Sequence, residues 1–240
     1  MEAKKKICFI SLFAYGIFNP EAKLKFGGSE TQLYFLAAKL AQNDNFAVSF
    51  MVLDVGQDPV EIYNKVEVVK AYRRGGGLIN MLSGFIKMIV VLKRINPDII
   101  VCRAFGREVG VSALYARIFG KKLVYCLAND RDASGAFFGG LNGKIFAFGF
   151  RKADHYIAQS EFQLSEFKKI FPAKAGKITL IKNSWPDESP AAAAREFVLW
   201  VGSSAALKRP EIFLDLARVF PEEKFVMIMT KSKMNSGRWE

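Results

Sequence analysis

The chain has 240 residues, 51% of them apolar and 13% aromatic, enough to pack the cores of one large or two ordinary domains and to exclude a disordered chain. Its net charge of +12 leaves three kinds of partner: a phosphorylated ligand, an anionic membrane surface or nucleic acid. Nucleic acid is set aside, because no nucleic-acid motif and no arginine run interleaved with aromatics occurs.

The apolar run over 6–12 reads as a first strand and not as a signal peptide, because it is short and passes into Gly16-Ile17-Phe18-Asn19-Pro20. A pair of glycines, Gly27-Gly28, stands between that strand and a helix predicted over 29–42, with Ser29 as N-cap and Gln32 completing a capping box. The first-turn N–H groups of a helix lack internal partners, and a backbone without Cβ admits close approach, so such a place suits a phosphate; a simple tight turn is the alternative. Strands follow over 46–53 and 66–72, then a very apolar helix over 78–94, a strand over 98–102, a helix over 107–119 and a strand over 122–127. A glycine-rich aromatic segment covers 135–150, and a strand 155–159. Ser160 with Gln163 then opens another helix on the capping-box pattern, and a strand covers 178–182. This alternation predicts an α/β fold, a mostly parallel sheet covered by helices on both faces.

Trp185-Pro186-Asp187-Glu188-Ser189-Pro190 and the alanines after it read as a linker over 185–195. Beyond it a strand over 197–201 runs into Gly202, a helix opens at Pro210 with Phe213, Leu216, Ala217 and Phe220 on one buried face, and a strand covers 224–229. The expected organisation is thus a domain over 1–184, the linker, and an incomplete second unit over 196–240. A single β-α-β unit is too small to close a doubly covered sheet, so a domain cut short is expected. Cys8, Cys102 and Cys126 each lie in an apolar run without paired spacing, which argues against disulfides or a zinc site and for a reducing, cytoplasmic setting.

Three stretches carry a resemblance: Gly27-Gly28-Ser29-Glu30-Thr31-Gln32, the segment from Ala153-Asp154-His155 to Ser160-Glu161-Phe162-Gln163 with Asn183 after it, and Trp200-Val201-Gly202 with Lys208-Arg209-Pro210-Glu211. In order and spacing they resemble the family-4 retaining nucleotide-sugar glycosyltransferases of GT-B fold. That resemblance implies a Rossmann-like, doubly wound N-terminal domain on the acceptor side, followed by the start of a second Rossmann-like domain that binds the donor. It further implies transfer of a hexosyl group from a nucleotide diphosphate sugar to a hydroxyl acceptor, saccharide or lipid-linked, with retention.

By the same resemblance Gly27 and Gly28 approach the donor diphosphate, and Lys208 takes the position of the family's diphosphate-binding lysine. Ser203 stands where an arginine is expected, with Arg209 as a partial substitute. Asp130 is the candidate catalytic residue, in the loop where the family often carries a histidine, and Asn129, Ser160 and Asn183 are candidates for substrate contact. A solvated loop with an Asx turn is the plainer reading of Asp130 and Asp132, and His155 reads as structural. No metal and no cofactor is expected, the diphosphate being met by helix N-termini and Lys208. The family's pair of glutamates in the second domain is not reached, so a fragment with little turnover of its own is expected. Two alternatives stay open: a sugar-nucleotide epimerase on the same plan, and a non-catalytic module for a sugar, lipid headgroup or protein partner. The apolar stretches over 78–94 and 137–152 are read as core; the alternative is peripheral contact with an anionic membrane at its inner face.

Overall fold

The computed structural model describes residues 3–185 and 196–230. They belong to two compact units, Met1–Pro186 and Asp187–Glu240; of the linker read over 185–195, all but Trp185 lies outside the described residues.

In chain order the first unit comprises β1 (Lys5–Ile10), α1 (Tyr15–Phe18), α2 (Gly28–Ala41), β2 (Phe46–Val52), β3 (Val60–Tyr63), β4 (Val66–Lys70), α3 (Gly77–Ile95), β5 (Ile99–Arg103) and α4 (Arg107–Phe119). It continues through β6 (Lys122–Cys126), α5 (Asp130–Ala133), α6 (Gly140–Lys152), β7 (His155–Ala158), α7 (Glu161–Ile170) and β8 (Ile178–Leu180). The sheet order is β3-β4-β2-β1-β5-β6-β7-β8, parallel throughout except for β3. From β1 the chain winds out to one edge, returns beside β1 as β5, and winds out to the other edge, which puts the topological switch between β1 and β5. This is the Rossmann-like, doubly wound α/β architecture expected.

Alternate strand residues feed two cores, as the two-residue period of a strand requires. Ile7, Phe9, Phe50 and Val68 pack with Tyr15, Phe18, Leu33 and Ala37 from α1 and α2. Cys8, Ile10, Ile100 and Tyr125 pack on the other face with Met88, Tyr115, Phe146 and Phe167 from α3, α4, α6 and α7. Close approach of α4 and α6 depends on missing side chains: a Cβ on Gly149 would lie 2.4 Å from the carbonyl of Val109, and one on Gly110 2.5 Å from the carbonyl of Ile145. The aromatic segment read over 135–150 is thereby largely helix α6, and its Phe146 and Phe150 pack edge-on against Tyr125 at 5.6 and 5.2 Å.

Three expectations are corrected here. Strand β3 pairs with β4 across Asn64-Lys65, both at positive φ, a tight hairpin turn built without glycine. The N-cap of α2 is Gly27 and not Ser29: the Glu30 carboxylate accepts from the Gly27 amide at 3.0 Å and from the Ser29 hydroxyl at 2.8 Å, because Glu30 and not Gln32 stands at the third helical position. The stretch over 78–94 is core on one side only; α3 buries Gly84, Met88 and Leu92 and exposes Leu78, Leu82, Ile86 and Val90.

In the second unit β9 (Val198–Ser203) and β10 (Phe225–Thr230) pair in parallel, connected through α8 (Pro210–Val219). Phe213 is buried between Trp200 and Phe225. Leu216 and Phe220, expected on the same buried face, are exposed, since the two described strands offer too little surface to cover that whole side of the helix.

Candidate functional site

Open parallel sheets bind ligands beyond the carboxyl ends of their strands, where loops and helix N-termini converge. In the first unit that edge carries two concavities. One, of about 180 Å³, lies between α2 and the ends of β5 to β8 and is lined by Gln32, Arg103, Cys126, Gln159, Asn183 and Ser184 among others. The other, of about 260 Å³, lies at the switch itself, beside Phe13, Tyr72, Arg74, Phe105, Arg107 and Glu108.

The first concavity is knit by polar side chains from elements far apart in sequence. Arg103, at the end of β5, donates from Nη2 to Oδ1 of Asn183 at 3.2 Å, and Nδ2 of Asn183 donates to Oε1 of Gln159 at 2.7 Å. Gln32 holds Ser184 from both sides, its Nε2 donating to the Ser184 carbonyl at 2.9 Å and its Oε1 accepting from the Ser184 amide at 3.2 Å. Two buried nitrogens beside this concavity, Arg103 Nε and Gln159 Nε2, have no hydrogen-bond partner among the described residues, while the Tyr125 hydroxyl faces the buried Asp132 carboxylate. Burial lowers the Arg103 pKa, an effect opposed by Cys126, Asp132, Tyr125 and Glu30. Unfilled hydrogen-bonding capacity at such a place is what a polar ligand or bound water satisfies.

The glycine pair opens α2, the helix whose Gln32, Phe35 and Lys39 line this concavity, and Glu30 in its first turn acts electrostatically on Arg103. Gly27 has its amide occupied by Glu30, so of the pair only Gly28 presents a free N–H. The amides of Gly28, Ser29 and Glu30 have no acceptor among the described residues, and a Cβ on Gly28 would meet nothing within 4 Å. An open helix N-terminus of this kind carries partial positive charge and free donors.

Asn129, Asp130 and Ser160 lie at the same edge with mainly local partners. Asn129 caps α5, its Oδ1 accepting from the Arg131 amide at 2.9 Å, so the turn expected of Asp130 and Asp132 is made by Asn129 and those two residues lie in the helix it opens. Ser160 caps α7 by accepting from the Gln163 amide at 3.2 Å, and Gln163 Nε2 donates to exposed Asp130 at 3.2 Å. Asp132 is not solvated. It is fully buried, with Oδ2 accepting from the amides of Ala128 at 2.6 Å and Asn129 at 3.3 Å, while burial pushes its carboxyl pKa up. His155 meets Thr179 Oγ1 at 2.9 Å between β7 and β8, a structural contact.

Sequence reasoning missed Arg103, Gln159 and the residues of the switch concavity. There Arg74 lies over the Phe13 ring at 5.3 Å and Arg107 over Phe85 at 5.9 Å, while burial raises the Glu108 pKa against the pull of both arginines. The available signal was position: Arg103 ends a strand, and Arg107 follows Phe105-Gly106 just beyond it.

In the second unit, Lys208 is exposed at the end of a short 3₁₀ turn. Arg209 takes a left-handed conformation before α8 and pairs with Glu211 at 2.6 Å, so its charge is already engaged. Among the described residues no three His, Cys, Asp or Glu side chains gather as a metal site, and no helix is long and apolar enough to cross a membrane.

The comparisons with known proteins agree with this architecture. Among solved structures, Anabaena Alr3699/HepE in complex with UDP and glucose is 17% identical at a TM-score of 0.63, over 94% of this chain and 60% of that one. UGT89C1 of Arabidopsis thaliana, complexed with UDP, is 12% identical at a TM-score of 0.54, over 99% of this chain and 68% of that one. The UDP-GlcNAc 2-epimerase of Methanocaldococcus jannaschii is 10% identical at 0.57, over 96% and 66%. At such identities the likeness is one of fold, and the chain spans between 60% and 68% of these structures' length. No curated protein sequence matches it. The sequence model described as Glycosyltransferase Family 4 matches residues 26–187, from the residue before the glycine pair to just past Asn183. With well over half of its length matched, the chain belongs to Glycosyltransferase Family 4.

Proposed function

We propose that the chain acts in retaining transfer of a hexosyl group from a nucleotide diphosphate sugar to a hydroxyl acceptor. In this reading residues 1–184 are the acceptor-side domain, 185–195 a linker and 196–240 the start of the donor-side domain. The observation that carries it is the open first turn of α2, with Gly28, Ser29 and Glu30 amides free, on the helix whose next turn lines the concavity that holds Arg103. The leaving diphosphate accepts hydrogen bonds from Gly28 and Ser29, while Gly27 sets the turn that opens them. Asn183 and the Arg103 it holds face the donor sugar, and Asp130, Asn129 and Ser160 complete the rim, with Asp130 as the catalytic candidate. The acceptor, a saccharide or a lipid-linked sugar, enters the switch concavity between Arg74 and Arg107.

Uridine nucleotides are the first donors to test, because the solved structures of similar fold include UDP complexes. Calorimetric titration of the chain with UDP is expected to show saturable binding that UDP-sugars compete for; no binding at millimolar ligand would overturn the donor-site assignment. The anomeric configuration of any transferred sugar, read by NMR, tests retention.

Epimerisation is the second reading, favoured by the UDP-N-acetylglucosamine 2-epimerases of similar fold. It calls for acid and base groups at the sugar. Of the carboxylates near the α2 concavity, Glu30 is engaged in capping and Asp132 is buried, which leaves Asp130. Conversion of UDP-GlcNAc in the absence of any acceptor would favour it.

A further inference from the structure

Helices α3, α4 and α6 pack side by side on one face of the first unit. Their outer surface is at once apolar and cationic. On α3, Leu78, Leu82, Ile86 and Val90 recur at every fourth position and are 50–64% exposed, forming a single stripe. A shallow groove of about 310 Å³ joins the three helices, lined chiefly by Phe85, Leu114, Ile145 and Phe148 together with Lys144.

Charge frames this surface with one sign. Helix α3 contains no carboxylate and three cations, Lys87, Lys93 and Arg94, and Arg74 stands just before it. Residues 133–153 contain none either, and carry Lys144, Arg151 and Lys152. The lone carboxylate on the three helices, Glu108, is half-buried. Protein interfaces tend to be depleted of lysine, whereas an apolar stripe flanked by lysine and arginine complements a plane that is anionic outside and apolar within.

We propose that this face docks on the surface of a bilayer containing anionic lipid, with α3 lying in the interface. The switch concavity shares Phe85 with the groove, so docking brings it next to the lipid headgroups. The proposal stands whether or not the chain transfers sugar.

Co-sedimentation of the purified chain with vesicles of phosphatidylcholine, with and without phosphatidylglycerol, tests it. Binding is expected only where phosphatidylglycerol is present, and weaker by roughly tenfold or more when salt is raised from low to physiological strength. Ile86→Glu combined with Val90→Glu is expected to lose at least about tenfold of that binding, both side chains lying on the exposed stripe. Their thermal unfolding should be unchanged. Ile62→Glu, equally exposed but on edge strand β3, should bind as the parent does. Equal binding to pure phosphatidylcholine, no binding at low salt, or equal loss with Ile62→Glu would overturn the proposal. So would lipid-free self-association abolished by the double variant, which would give the face to a second copy of the chain.

Discussion

Replacing Gly28 by aspartate separates ligand binding from folding, because the two respond with opposite sign. Gly28 opens α2, and a Cβ there would meet nothing within 4 Å, so the new side chain needs no rearrangement. A carboxylate in the first turn interacts favourably with the helix dipole by about 0.3–1 kcal/mol, and replacing a helical glycine adds several tenths more. Stability should therefore rise, by about 1 kcal/mol, with repulsion from Glu30 taking back a part. A diphosphate held on the Gly28 and Ser29 amides would instead sit roughly 6 Å from the new charge. At an effective dielectric constant of about 20 each pair of unit charges repels by about 3 kcal/mol, which salt and solvent reduce to about half. Nucleotide affinity should fall by roughly 10- to 100-fold. Urea unfolding and calorimetric titration measure the two effects, and Gly28→Asn, of nearly the same shape without the charge, should lose far less affinity. An aspartate variant that is more stable yet binds the nucleotide within twofold of the parent would refute the placement of the diphosphate.

Further expectations follow from other parts of the molecule. Arg103→Met should lower donor-sugar affinity by roughly tenfold with little change in the urea midpoint, since the buried guanidinium is incompletely hydrogen-bonded and costly to desolvate. Gly149→Ala should destabilise the first unit by about 1–3 kcal/mol, because its Cβ would press on the Val109 backbone, which cannot swing aside. Burial raises the Cys126 thiol from 9.0 to about 11, so its protonated form is favoured in the folded chain. The associated stability is fully present below pH 9 and is lost as pH rises toward 11, up to about 3 kcal/mol at 1.4 kcal/mol per pH unit. Cys126→Ala should flatten urea midpoints measured across that range, and an unchanged slope would show that the thiol is not shielded as described.

Much of the architecture was written locally in the chain. Helix α4 runs from Arg107 to Phe119, the bounds read from its apolar spacing and the glycine on either side. The parallel strands announce themselves as apolar runs because both of their faces are covered. What failed was decided by partners distant in sequence or by single side chains. Strand β3 is four residues long and turns through Asn64-Lys65, neither of them glycine. The start of α2 turned on which of two side chains, Glu30 or Gln32, reaches back to the cap; Gln32 proved to be held by Ser184, 152 positions away. Apolar composition alone could not say that half of α3 faces outward. Within the site, Ser160 as the cap of α7 was legible from motif spacing, whereas the place of Arg103 is fixed by its bond to Asn183, 80 positions on.

The central claim is that the open first turn of α2 receives the nucleotide diphosphate, and a crystal structure with that ligand bound tests it most directly. Phosphate oxygens within hydrogen-bond distance of the Gly28 and Ser29 amides are the predicted result. Phosphates seated elsewhere, for instance between Arg74 and Arg107, with those amides still unpaired, would contradict the account.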